Sequence, residues 1–222
     1  MTTVVSVGDP TAVSDDVKRS LAASGIAVSR LEGVARAETA LAVARVVDSR
    51  TVLLADGSGP AAVGLGPIAY RQGWPYRSTE GLSRDSLELI DQDHLRVLVV
   101  GEGEHLPLVE SQLRVTDAEV ELVGQERELA EALALYSVDV LRWSGARLTL
   151  VADSYADALS AAQVAATRQA PLVVTGSPGR LSRSAERVLD EWSTRVEDVI
   201  VVGGETTVTP AAVRSVTEAL PR

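Results

Sequence analysis

Apolar residues along this chain fall into two alternating patterns. The first is a short, nearly continuous run of Val, Leu and Ile, as at residues 4–7, 52–54, 97–100, 148–151 and 199–202. Runs of that length, bounded by Gly, Pro or charged residues, read as strands buried on both faces. The second pattern has helical spacing, as at Ala40, Val43, Ala44 and Val47. Strands and helices therefore alternate. That predicts an α/β fold with mainly parallel sheets covered by helices.

One strand–turn–helix segment occurs three times. Its strands are Val4-Val5-Ser6-Val7-Gly8, Val97-Leu98-Val99-Val100-Gly101 and Val199-Ile200-Val201-Val202-Gly203. A period of roughly 90–100 residues marks a duplicated module rather than one large domain around a single cleft. Ser14 and Thr209 stand where helix N-caps belong, and Pro210 takes the favoured first helical position. In the middle copy Pro107 holds the cap place, cannot cap with a side chain, and predicts a less regular turn. A second block, strand then helix, spans 26–47 and recurs at 120–136, with Gly33 and Arg36 matching Gly124 and Arg127. A third block, strand–helix–strand–helix, spans 51–90 and recurs at 148–192; within it residues 60–79 align with 156–175 without a gap. The block order is first, second, third, first, second, third, first. The expected organisation is two tandem Rossmann-like modules, 27–118 and 119–222. An extra strand–helix unit, 1–26, docks on a neighbouring module.

Composition narrows the function. Hydrophobic residues make up 45% of the 222, ample for a core, but with no Phe, three Trp and four Tyr that core is aliphatic. The net charge of −10 argues against nucleic acid as a partner, because phosphate binding needs basic patches. It also disfavours an anionic membrane surface. It leaves room for an anionic polymer held at a local Arg cluster. Cys is absent, which removes disulfides, thiolate metal sites and Cys nucleophiles. No run approaches the roughly 20 apolar residues of a membrane span. Met1-Thr2-Thr3 leads straight into a strand with no charged leader, so no signal peptide is expected.

Three motifs hint at catalysis and each has a plainer reading. Val99-Val100-Gly101-Glu102-Gly103-Glu104 follows a strand as a dinucleotide loop would, but Leu106 stands where the third Gly is needed. Asp56-Gly57-Ser58-Gly59 sits between strand and helix like a nucleophile elbow, but the Gly-x-Ser-x-Gly spacing fails. A triad would need His94 or His105, the only histidines. Asp153 and Asp157 suggest paired carboxylates or a cation site, whereas a carboxylate at a helix N-terminus is explained by capping. Trp74-Pro75-Tyr76-Arg77 is the most unusual stretch. An aromatic pair beside Arg suits a sugar ring carrying an anionic group, and equally an edge-strand plug.

Residues 148–220 resemble the type 2 cell-wall-binding repeat of bacterial and archaeal surface proteins. The resemblance rests on spaced motifs in order. They are Leu150-Val151-Ala152, Asp157-Ala158-Leu159-Ser160-Ala161-Ala162, Pro171-Leu172-Val173-Val174-Thr175, Val199-Ile200-Val201-Val202-Gly203-Gly204 and Thr207-Val208-Thr209. The family's opening motif is matched by Arg30-Leu31-Glu32-Gly33-Val34-Ala35-Arg36-Ala37-Glu38-Thr39-Ala40. In the second copy only Gly124 and Arg127 of that opening remain. The resemblance implies non-catalytic tandem modules, usually three packed as a pseudo-symmetric trimer, that hold proteins to anionic wall polymers. It implies binding by Pro171, Leu172, Val173 and Val174 and by nearby basic residues. For Arg36 and Arg127 a salt bridge between modules competes with an anion contact.

The expectation is a non-enzymatic pair of modules that anchors to an anionic cell-wall polymer or glycan, with no cofactor and no metal. The candidate binding residues are Arg36, Arg127, Pro171, Leu172, Val173, Val174, Trp74, Tyr76 and Arg77. Module packing or a homo-oligomer is expected, at the cell surface. The alternatives are a cytoplasmic assembly module of the same fold, favoured by the missing leader, or a small-molecule enzyme at Ser58 or Gly101.

Overall fold

The computed structural model describes residues 3–55, 64–78, 82–92, 95–101, 106–124, 128–151, 155–175 and 180–220. Among the described residues strands and helices alternate. They run β1 (Thr3–Val7), α1 (Asp15–Ala23), β2 (Ala27–Leu31), α2 (Arg36–Ala44), β3 (Thr51–Ala55), α3 (Leu65–Gln72), β4 (Tyr76–Ser78), α4 (Arg84–Gln92) and β5 (Arg96–Val100). They continue as α5 (Leu106–Leu113), β6 (Glu119–Val123), α6 (Leu129–Asp139), β7 (Arg147–Val151), α7 (Tyr155–Arg168), β8 (Leu172–Val174), α8 (Arg183–Trp192), β9 (Asp198–Val202) and α9 (Pro210–Ala219). The fold is α/β, and every strand pair is parallel.

The strands form three sheets, ordered β1-β2, β4-β3-β5-β6 and β8-β7-β9. Sheet membership cuts across the repeat boundaries. The extra unit docks through β1 on β2, with Val5 opposite Ser29, and β6 closes the sheet begun by β3. The strands of the central sheet are buried as their continuous apolar runs require: Leu53, Leu54, Leu98 and Val100 are fully inside.

Helices join the sheets. Each second-block helix reaches onto the following sheet, α2 against β4 and α6 against β8 and α8. The two third-block helices, α3 and α7, pack on each other at close range. A Cβ added at Gly66 would lie 2.8 Å from that of Ala162, so only Gly permits this approach. The α6–α8 contact carries an ionic clasp, with Arg187 2.9 Å from Glu128 and 3.1 Å from the buried Glu131.

Cap chemistry differs among the three copies. Thr209 accepts from the Ala212 N–H at 3.3 Å, as its position predicts. Ser14 occupies the N-cap of α1 but makes no side-chain cap bond. Pro107 falls inside the first turn of α5, where its missing N–H costs nothing, instead of at the cap. Asp157 likewise lies within the first turn of α7, favourably placed against the helix dipole.

Candidate functional site

The site begins with two turns at the carboxyl ends of β1 and β2. After β1 the chain turns at Gly8, whose φ of 113° favours glycine and whose N–H bonds to the Leu31 carbonyl at 2.9 Å. Asp9 then organises the turn. Its Oδ1 accepts from the Thr11 hydroxyl at 2.7 Å and from the Thr11 and Ala12 N–H groups at 3.1 Å. The Thr11 hydroxyl above all, then the Ala12 N–H, holds the Asp9 carboxyl below the usual carboxylate range. Arg30 on β2 fastens the two turns together. Its guanidinium donates to the Gly8 and Val13 carbonyls, each at 2.8 Å, and to Asp15 at 3.0 Å.

After β2 the chain enters α2 through Gly33. A Cβ here would lie 2.3 Å from the Glu38 Cβ and 2.5 Å from the Thr39 nitrogen. The tight approach lets Glu38 accept the Val34 N–H at 2.6 Å. Ala35, the N-cap of α2, supplies no capping oxygen. Arg36 follows at the first helical position, exposed, and among the described residues no carboxylate lies within ion-pair distance of it.

These turns, the inner face of α2 and Tyr76 of the neighbouring sheet line an open cavity of about 600 Å³. Val7, Asp9, Gly33, Arg36, Val43 and Tyr76 contribute to its walls. The size suits a small organic ligand or one or two sugar residues. Among the described residues the lining is mainly apolar, with one cation, one anion and the Tyr76 ring; the Tyr76 hydroxyl donates to the Ala55 carbonyl at 3.4 Å.

Of the residues singled out from sequence, the fold brings Arg36 and Tyr76 together across two units. Trp74 is half-buried beside Tyr76 against the core that holds Leu65 and Ile68. Arg77 lies on β4, an edge strand. Pro171, Leu172 and Val173 are buried and Val174 half-buried, Leu172 packing against Val151, Ala158 and Ala161. In the gapless alignment Leu172 is the counterpart of Tyr76, so an aliphatic residue buried at the second junction replaces the aromatic one that lines the cavity at the first. Arg127, Ser58, His94, His105 and Asp153 lie outside the described residues. Asp9 and Val34 were not foreseen as lining residues. Asp9 had a local signal, since Asp with Thr two residues on is an Asx-turn pattern. Among the described residues no group of three or more His, Asp or Glu is placed to hold a metal, and no helix is long and apolar enough to cross a membrane.

Residues 117–213 match the family model of Cell wall binding domain 2 (CWB2). That segment is similar to the CWB2 domain. It runs from just before β6 into α9. Among solved structures, Cwp8 from Clostridium difficile superposes with a TM-score of 0.77 at 25% identity, over 98% of this chain and 38% of that one. Cwp6 from the same organism gives 0.78 at 20% identity, over 100% of this chain and 36% of that one, a likeness of fold. The chain thus spans less than two fifths of either structure. No curated protein matches it by sequence.

Proposed function

We propose that this chain is a non-catalytic cell-wall-binding unit of a surface protein, and that it holds an anionic wall polymer. The CWB2 match over residues 117–213 carries the reading. The cavity beneath α2 gives it a physical form. A sugar ring stacks on Tyr76, and Arg36, without a carboxylate partner among the described residues, pairs with an anionic substituent. Arg127 is the repeat-equivalent of Arg36 in sequence and is the candidate for a second cationic contact, and Trp74 and Arg77 stand beside Tyr76 along the chain. Leu172 and Val173, being buried, shape the second junction instead of touching the polymer.

Each contact is weak, because one exposed ion pair contributes about 0–1 kcal/mol. Affinity arises when repeated sites engage repeated units of one polymer and raise its effective concentration. A chain of net charge −10 binding a polyanion works through local Arg contacts, so retention falls steeply as salt rises. The test is retention on purified wall polymer at low and physiological salt. Retention no greater than that of an unrelated α/β protein of equal charge would defeat the proposal.

A further inference from the structure

Two opposite charges line the cavity beneath α2, and neither is neutralised inside the fold. Among the described residues no carboxylate lies within ion-pair distance of Arg36 and no cation within that distance of Asp9. Arg30, which fastens the Asp9 turn, pairs instead with Asp15 at 3.0 Å and Glu32 at 3.6 Å. Asp9 and Arg36 do not pair with each other, although both contribute to the same walls.

The Asp9 carboxylate is not needed to build its turn. The last copy of the repeat makes the same turn with Gly204 in that place. There the Thr207 and Val208 N–H groups donate to the Gly204 carbonyl at 2.9 and 2.8 Å. The Ala12 and Val13 N–H groups donate in the same way to the Asp9 carbonyl, at 3.1 and 2.9 Å. Asp9 therefore adds a negative charge that the backbone does not require. Its Oδ1 takes all three side-chain hydrogen bonds, which leaves Oδ2 without a donor among the described residues.

That charge bears on what the cavity can hold. A bare anion on Arg36 brings like charge into the cavity that Asp9 lines, on a chain whose net charge is already −10. A ligand that also carries an ammonium group turns the first repulsion into an attraction and, being neutral overall, escapes the second. We propose that the cavity selects an amino sugar bearing an anionic substituent, with the anion on Arg36, the ammonium on Asp9 and the ring against Tyr76. The inference rests on the wall-binding reading and names the repeat unit that reading leaves open, a zwitterionic one.

The test titrates the full chain with glucosamine 6-phosphate, glucose 6-phosphate and N-acetylglucosamine 6-phosphate, followed by backbone amide shifts, beside retention on purified wall polymer. The first probe carries both charges and the other two only the phosphate. Glucosamine 6-phosphate is expected to bind roughly fivefold tighter than either, the upper end for one exposed ion pair, with shifts at Asp9 and Arg36. Asp9→Asn keeps the Oδ1 acceptor of the turn and is expected to erase that preference, whereas Arg36→Gln weakens all three. Equal affinity for the three probes, or a preference that survives in Asp9→Asn, overturns the inference and leaves the wall-binding reading standing. So does failure to bind any probe by a chain that the polymer retains. Failure to bind any probe, together with no retention, overturns both.

Discussion

At Gly33 the backbone passes so close to the start of α2 that a methyl group collides with Glu38 and with the Thr39 backbone nitrogen. Backbone atoms cannot swing aside as a long side chain can. Gly33→Ala is therefore expected to lower stability by about 1–3 kcal/mol, read from the urea midpoint, and to disturb the Arg36 cavity with it. Gln169 shows the opposite opportunity. It ends α7 at a φ of 50°, where the repeat's other copy has Gly73 at 68°. A side chain in the left-handed region costs about 1–2 kcal/mol. Gln169 also sits beside Arg71, its amide oxygen oriented 3.0 Å from the guanidinium, a contact that glycine forfeits. Gln169→Gly should still raise stability by about 1 kcal/mol, read from the urea midpoint, and an unchanged or lower midpoint would show that the Arg71 contact outweighs the strain. Both positions were visible in the sequence only as letters. Gly33 stood out because it recurs as Gly124, whereas the strain at Gln169 emerges only once Gly73 is seen to occupy the same place.

Individual elements were legible because continuous Val and Leu runs leave little alternative to a buried strand. The partners of those strands were not. A run that is apolar on both faces carries no mark of which edge it shares, so β6 was read with the module that follows it and joins the sheet that precedes it. The bond between β6 and α6 makes a prediction at this scale. Tyr136 on α6 is buried and its hydroxyl donates to Glu121 on β6 at 3.5 Å, with Arg96 of β5 on the same carboxylate. Burial, then the Glu121 charge, pushes the Tyr136 pKa above its ordinary 10.0. A group whose folded pKa is raised stabilises the protein below its unfolded pKa and loses that contribution as pH climbs through the folded one. Stability should therefore hold from pH 7 to about 9 and fall above about 10, and Tyr136→Phe should flatten the fall. Urea midpoints across that range, with tyrosinate absorbance alongside, decide it. An identical decline in both proteins would assign the effect elsewhere.

For the molecule as a whole, repetition was the most informative signal in the sequence. Together with strand–helix alternation it foretold the α/β class, and spaced motifs in order foretold the likeness to CWB2 over residues 117–213. It did not foretell that Arg36 and Tyr76 line one cavity. Arg36 and Tyr76 lie 40 positions apart, and they meet only because α2 leaves its own sheet to pack on β4 of the next. Nothing in either local pattern encodes that crossing. Leu172 and Val173 were chosen by resemblance and turn out to be core, since a strand packed beneath α6 has its side chains inside. The same crossing makes the cavity a property of two units rather than one, so its binding strength should depend on their docking. The most direct measurement is retention of the Arg36→Ala, Tyr76→Ala double variant on purified wall polymer, beside the parent and at matched thermal stability. The account predicts a loss of roughly tenfold or more at low salt, from one charge contact and one stacking contact removed together. Full retention by the stably folded double variant would contradict it.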